Sequence, residues 1–191
     1  MKLKKIRLVE ADDLDIFDLD LNGEVTPEEV IKAYKDGIRR TPHDHWLDLG
    51  RMKMKHKIPV PCPHTIKKSL NCMHNDLNSF EHFPKNVYGE DGIDVSYNNF
   101  SSLKDIHKHL HSVTGKDGII LSHNPLKSHL LGLLKINGLK KVVLTDASGS
   151  KALHEAQRII NKYLPGNGSN KDIMDCQSDL LDAGLDEYAQ L

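Results

Sequence analysis

Leu14-Asp15-Ile16-Phe17-Asp18-Leu19-Asp20-Leu21-Asn22-Gly23 is the stretch whose reading decides the fold. Read forward to Glu29, it is a calcium-binding loop. Asp18, Asp20 and Asn22 take the first, third and fifth positions, with Gly23 at the sharp turn. Val25 is the apolar eighth residue, Thr26 the ninth and Glu29 the closing carboxylate. Glu24 adds a further oxygen donor within the same loop. Read backward, Leu14, Ile16 and Phe17 form a buried strand that delivers Asp18 to the carboxyl edge of a parallel sheet, where open α/β folds bind ligands. An aspartate at that edge can attack phosphorus, and a second two residues on can carry the leaving-group proton. A divalent cation then offsets the clustered negative charge.

Working outward, Thr26-Pro27-Glu28-Glu29 opens a helix, with a cap, a proline at the first turn and acids at the positive end. From Arg40 to Tyr97 the chain is rich in turn residues, and helical pieces are predicted at 45–57 and 65–80. This segment reads as a helical insertion, and no internal repeat is read anywhere in the chain. Beyond Asn99 the texture changes. Gly118-Ile119-Ile120-Leu121-Ser122 and Lys141-Val142-Val143-Leu144-Thr145 are compact apolar runs, the pattern of strands buried on both faces. Helices are predicted at 101–113, 126–136, 150–164 and 178–189. Strand and helix in alternation predict a parallel sheet with crossover helices.

The chain has 191 residues, 26 basic and 27 acidic, a balance that argues against a nucleic-acid-binding surface. No apolar run reaches the ~18 residues of a membrane span, and the basic N-terminus lacks the apolar core of a signal peptide. Three cysteines fit a reducing compartment, so a cytoplasmic location is expected; export without a cleaved signal is also compatible. Cys62/His64 and Cys72/His74 form two Cys-x-His pairs, a candidate metal set whose inner spacing is tight for zinc.

Four motifs in order resemble the haloacid dehalogenase superfamily, in its pyrimidine-nucleotidase-like phosphatase branch. Asp18-Leu19-Asp20 resembles the first motif, the run Ile119 to Asn124 the second, Lys151 the third, and Asp175 with Asp179 the acidic fourth. Departures are Asn22 after the first motif, Met174 in place of an acid, and Ala152 after the lysine. The resemblance implies a Rossmann-like three-layer α/β core over 1–25 and 99–191, with a helical cap over 26–98. It implies a magnesium-dependent phosphomonoester hydrolase that passes through an aspartyl-phosphate. Asp18 would be nucleophile, Asp20 acid and base, and Ser122 and Lys151 the phosphate holders. His123 and Asn124 would contact a small phosphorylated substrate, and Asp18, Asp20, Asp175 and Asp179 would hold Mg2+. Two other readings stand beside it: a calcium-binding protein using the loop from Asp18 to Glu29, and a catalytically lapsed member of the fold that only binds.

Overall fold

The computed structural model describes residues 25–39, 46–164 and 168–191. It is mixed α/β, and its main sheet has five strands, all parallel. These are β1 (Trp46–Asp48), β4 (Ser69–Asn71), β7 (Ile93–Asp94), β9 (Ile119–Ile120) and β10 (Val142–Val143). They lie side by side in strict chain order, whereas a doubly wound sheet reverses its order at a switch point. The register sets Leu47, Leu70, Ile93, Ile119 and Val142 in one row. Successive members of that row are 23, 23, 26 and 23 residues apart. From β1 to β10 the described chain is a coil that repeats, which corrects the expectation of no internal repeat.

What joins the strands differs from the expected crossovers. In place of the helical insertion over 26–98, one helix, α1 (Pro27–Arg39), precedes the short strands β1 to β7. The other members of that run are β2 (Lys55–His56), β3 (Thr65–Ile66), β5 (Asp76–Leu77) and β6 (Asn86–Val87). The strands β3, β6 and β8 (Ser112–Val113) form a second parallel sheet, and β2 pairs with β5. The helix predicted at 101–113 shrinks to one turn, α2 (Ile106–His109), and that at 126–136 becomes a 3-10 helix, η1 (Leu130–Lys135). Between the main strands the backbone pairs with neighbouring coils, β2 with β5 and β6 with both β3 and β8, in place of full crossover helices. One hydrophobic cluster runs the length of the described chain, from Val30 to Ala189. The segment expected as a cap shares this core through Leu49, Met54, Leu70, Leu77, Phe80 and Ile93.

The physical basis of the repeat is a buried asparagine. Asn75, Asn98 and Asn124 occupy equivalent turns and are at most 8% exposed. The side-chain oxygen of each accepts a backbone N–H from the preceding coil: Met54 at 3.0 Å, Leu77 at 3.0 Å and Phe100 at 2.9 Å. Each amide nitrogen donates to carbonyls of its own coil and of the one before. For Asn98 these are Val95 and Cys72; for Asn124 they are Leu121 and Val95. An asparagine amide offers two donors and two acceptor sites, so one residue satisfies backbone on both coils where the turn breaks the ladder. The surrounding pattern is apolar-x-apolar-x-x-Asn-x-apolar. It occurs as Leu70-x-Cys72-x-x-Asn75-x-Leu77, Ile93-x-Val95-x-x-Asn98-x-Phe100 and Ile119-x-Leu121-x-x-Asn124-x-Leu126. A short strand and a buried asparagine recurring every 23–26 residues make a solenoid, in which each coil buries its apolar residues against its neighbours. Where coils pass closest, only glycine fits. A Cβ on Gly118 (φ +64°) would lie 1.9 Å from the Lys141 carbonyl oxygen.

The solenoid is closed at its C-terminal end by α3 (Lys151–Tyr163) and α4 (Asn170–Asp182). The α3 prediction holds, capped by Ser150. The last helix begins earlier than predicted, at a capping box of Ser169 and Asp172. Helix α3 turns amides toward the open edge of β10. Asn161 accepts from the Val142 N–H (2.8 Å) and donates to its carbonyl (2.9 Å). Gln157 accepts from the N–H groups of Leu144 and Thr145. Side chains thus stand in for a sixth strand and blunt an edge that would otherwise pair with another chain.

Candidate functional site

The strand pattern sends alternate residues inward, and the remaining positions, with the turns that follow, make an outer face of three parallel rows, of which the third is the most exposed. The first row is Asp48, Asn71, Asp94, Ile120 and Val143, fixed by the strand register. The second continues two residues on, with Gly50, Met73, Ser96, Ser122 and Thr145, which are mostly small; Ser96 and Thr145 are buried between the neighbouring rows. The third is Arg51, His74, Tyr97, His123 and Asp146; the first four each precede a residue that turns inward, whereas Ala147 after Asp146 is exposed. Backbone bonds from Arg51 to Met73, His74 to Ser96 and Tyr97 to Ser122 keep the coils in step.

The third row is an aromatic ladder. His74 and Tyr97 stack with centroids 4.2 Å apart and an interplanar angle of 14°, and Tyr97 and His123 with 4.0 Å and 13°. Tyr97 is 43% exposed despite a ring on each side. Arg51, His74, Tyr97 and His123 all hold φ between 54° and 58°. This left-handed region costs a residue with a Cβ about 1–2 kcal/mol, and glycine far less. The same turn thus repeats in four coils without glycine. Its geometry carries these side chains outward while the next residue, the asparagine in three of the coils, turns in.

At its C-terminal end the ladder meets a carboxylate. His123 Nε2 lies 2.9 Å from Asp146 Oδ2. The other Asp146 oxygen accepts from the Ser148 hydroxyl (2.6 Å) and N–H (3.0 Å), and these bonds hold the carboxyl below its ordinary range, aided by His123. Beside this pair opens a cavity of about 300 Å³. Leu126, Leu144 and Leu153 contribute apolar walls, and His123, Lys127 and Asp146 are the ionisable groups that line it.

The remaining predicted site residues are dispersed. Asp18, Asp20, Asn22 and Glu24 lie outside the described residues. Thr26 and Glu29, the late members of the calcium-loop reading, bond to each other across the start of α1: Thr26 N–H to the Glu29 carboxylate at 2.7 Å, and Glu29 N–H to the Thr26 hydroxyl at 3.3 Å. Ser122 is in the second row of the outer face and His123 in the ladder. Asn124 also lines the cavity, but its amide is engaged with Phe100, Val95 and Leu121. Lys151 is the exposed first residue of α3. Asp175 is paired with Lys171 on α4. Asp179 is held by Lys162 (2.8 Å) and the Tyr163 hydroxyl (2.7 Å), which lower its pKa. The two Cys-x-His pairs are also split by the fold. Cys72 faces the core, its thiol pushed well up by burial, while two residues on His74 stands in the ladder. Among the described residues, no group of three His, Cys, Asp or Glu is placed to hold a metal ion, and no helix is long and apolar enough to cross a membrane.

Tyr97, Asp146, Asp48 and Asp94 are the residues that sequence reasoning passed over. The available signal was positional. His74, Tyr97 and His123 each directly precede the repeat asparagine. No family model, curated protein or solved structure matches the chain.

Proposed function

We propose that this chain is a polypeptide-binding module that docks its partner on the outer face of the five-stranded sheet. The observation that carries this reading is the His74–Tyr97–His123 ladder: three stacked rings held outward by a backbone conformation unfavourable to them. Backbone strain kept at equivalent turns points to a use for the side chains there. Aromatic side chains on a rigid frame are also the usual energetic centre of a protein interface. Solenoids offer such faces because each coil adds one row of the same geometry. Of the sequence readings, the nearest is binding without catalysis, here on a repeat frame. The test is to select peptides from a display library against the full chain and measure their affinity for Tyr97→Gly. The account expects at least tenfold loss with the fold retained; selected peptides indifferent to Tyr97 would refute it.

A second reading is hydrolysis of a phosphomonoester with magnesium. One observation favours it: His123, expected to contact substrate, lines a cavity together with Lys127, Ser148 and Ser150. Its nucleophile would be Asp18. Turnover of a phosphomonoester panel by the purified chain with magnesium, abolished by Asp18→Asn, would establish it. Absence of turnover would leave the binding reading alone.

A further inference from the structure

We infer that the polypeptide bound by this face is cationic, and that one of its Lys or Arg side chains enters the cavity beside Asp146. This inference rests on the docking face proposed above and names the chemistry of its partner.

Three carboxylates stand in the rows of the face, Asp48, Asp94 and Asp146, and Arg51 is the one cation in those rows. Asp48 gives one oxygen to the Gly50 N–H and the Asn71 amide, and Asp94 gives one to the Ser96 N–H, each bond at 2.9 Å. Neither has a cationic partner among the described residues. Local N–H donors fix both carboxylates in place and leave the second oxygen of each for a ligand. Carboxylates held rigid in advance lose little freedom on pairing with a cation, which favours complementary over random contacts. Apart from Met73 the middle row is small, with Ser96 buried and Gly50 and Ser122 half-buried, and an extended backbone would lie over this strip between the acidic row and the ladder.

The cavity narrows the choice of side chain. Its leucine walls suit a long aliphatic stem, and Asp146 on its lining suits a charged head. Ser148 keeps that carboxylate ionised and oriented, and His123 holds it from the ladder side. Lys127 is the opposing group on the same cavity, and it makes the sign of the ligand a measurable question. A cationic head on Asp146 would be repelled weakly by Lys127; an anionic head would depend on Lys127 and be repelled by Asp146. Nucleic acid is disfavoured on this face because three carboxylates would oppose its phosphates.

The experiment uses the full chain and three labelled peptides of equal length, Arg-Gly-Leu, Gln-Gly-Leu and Glu-Gly-Leu repeats, followed by fluorescence anisotropy at physiological salt. The inference expects the arginine peptide to bind about tenfold tighter than the glutamine peptide, and the glutamate peptide weakest. Asp94→Asn and Asp146→Asn should each weaken the arginine peptide by about threefold to tenfold. Lys127→Ala should leave it unchanged or slightly tighter, and Asp186→Asn, an exposed acid away from these rows, should change nothing. Tighter binding of the glutamate peptide, or loss with Lys127→Ala, overturns the inference. So does an Asp186→Asn effect equal to that of Asp146→Asn, or no binding by any peptide. If the glutamine or glutamate peptide binds best and is lost in Tyr97→Gly, the face is a docking site and only the charge assignment falls. If the arginine peptide binds but ignores Tyr97→Gly, the docking face itself falls.

Discussion

Adjacent residues meet opposite fates in this solenoid. His74, Tyr97 and His123 form a ladder on the outside, and Asn75, Asn98 and Asn124 form one on the inside. The inner ladder binds backbone groups that nothing else can reach, so it makes the coils cohere. The outer ladder makes no bond to its neighbours' backbone through its rings, and its stacking is a modest term of about 0.5–1.5 kcal/mol per pair. A single turn conformation therefore divides structural from functional labour within a dipeptide.

Breaking the inner ladder should have the largest effect. Asn98→Ala would leave the Leu77 N–H without its buried partner and would take one of two asparagine donors from each of the Cys72 and Val95 carbonyls, which keep Asn75 and Asn124. The unsatisfied buried N–H costs about 1–3 kcal/mol and each further lost bond about 0.5–1.5, so a loss of about 3 kcal/mol is expected in urea unfolding. Next comes the sheet edge. Asn161→Ala removes both bonds to Val142 and should cost about 1–2 kcal/mol, because water can replace part of what is lost. It should also expose a pairing edge, visible as self-association in analytical ultracentrifugation.

The outer ladder should respond in the reverse sense. Tyr97→Gly removes two stacks but relieves a left-handed backbone, and these terms are comparable. Its stability should stay within about 1 kcal/mol of the parent. The smallest effect is electrostatic. The Asp146 carboxyl is depressed in the folded state, first by the Ser148 hydroxyl. Its contribution is therefore present above its unfolded pKa, about 3.9, and disappears as pH falls through the lower folded value. Ser148→Ala should raise the Asp146 pKa in an NMR titration and flatten the acid limb of stability. An unchanged titration would show that Ser148 does not hold the carboxylate.

The same comparison explains what could be seen in the sequence. Ile119-Ile120-Leu121 and Val142-Val143-Leu144 stood out as buried strands because their outward residues, Ile120 and Val143, are also apolar. The equivalent strands at Leu70 and Ile93 carry Asn71 and Asp94 outward, so two or three residues of strand dissolved into apparent loop. Asn75, Asn98 and Asn124 read individually as turn formers; their near-constant spacing was the signal of a repeat. Asn is ambiguous here because the same short amide serves exposed turns and buried ladders. The α/β class, the helix opened by Pro27 and the helix opened after Ser150 were legible, since proline and caps act locally. The ladder was not, because stacking between residues 23 and 26 positions apart exists only once the coils are in register.

The most direct test sets the two ladders against each other within one dipeptide. Tyr97→Gly and Asn98→Ala would be compared by urea unfolding and by affinity for a peptide selected on the parent chain. The account predicts that Tyr97→Gly unfolds like the parent and loses at least tenfold in affinity, whereas Asn98→Ala unfolds at markedly lower urea. A Tyr97→Gly protein as destabilised as Asn98→Ala, or one that binds as tightly as the parent, would contradict it.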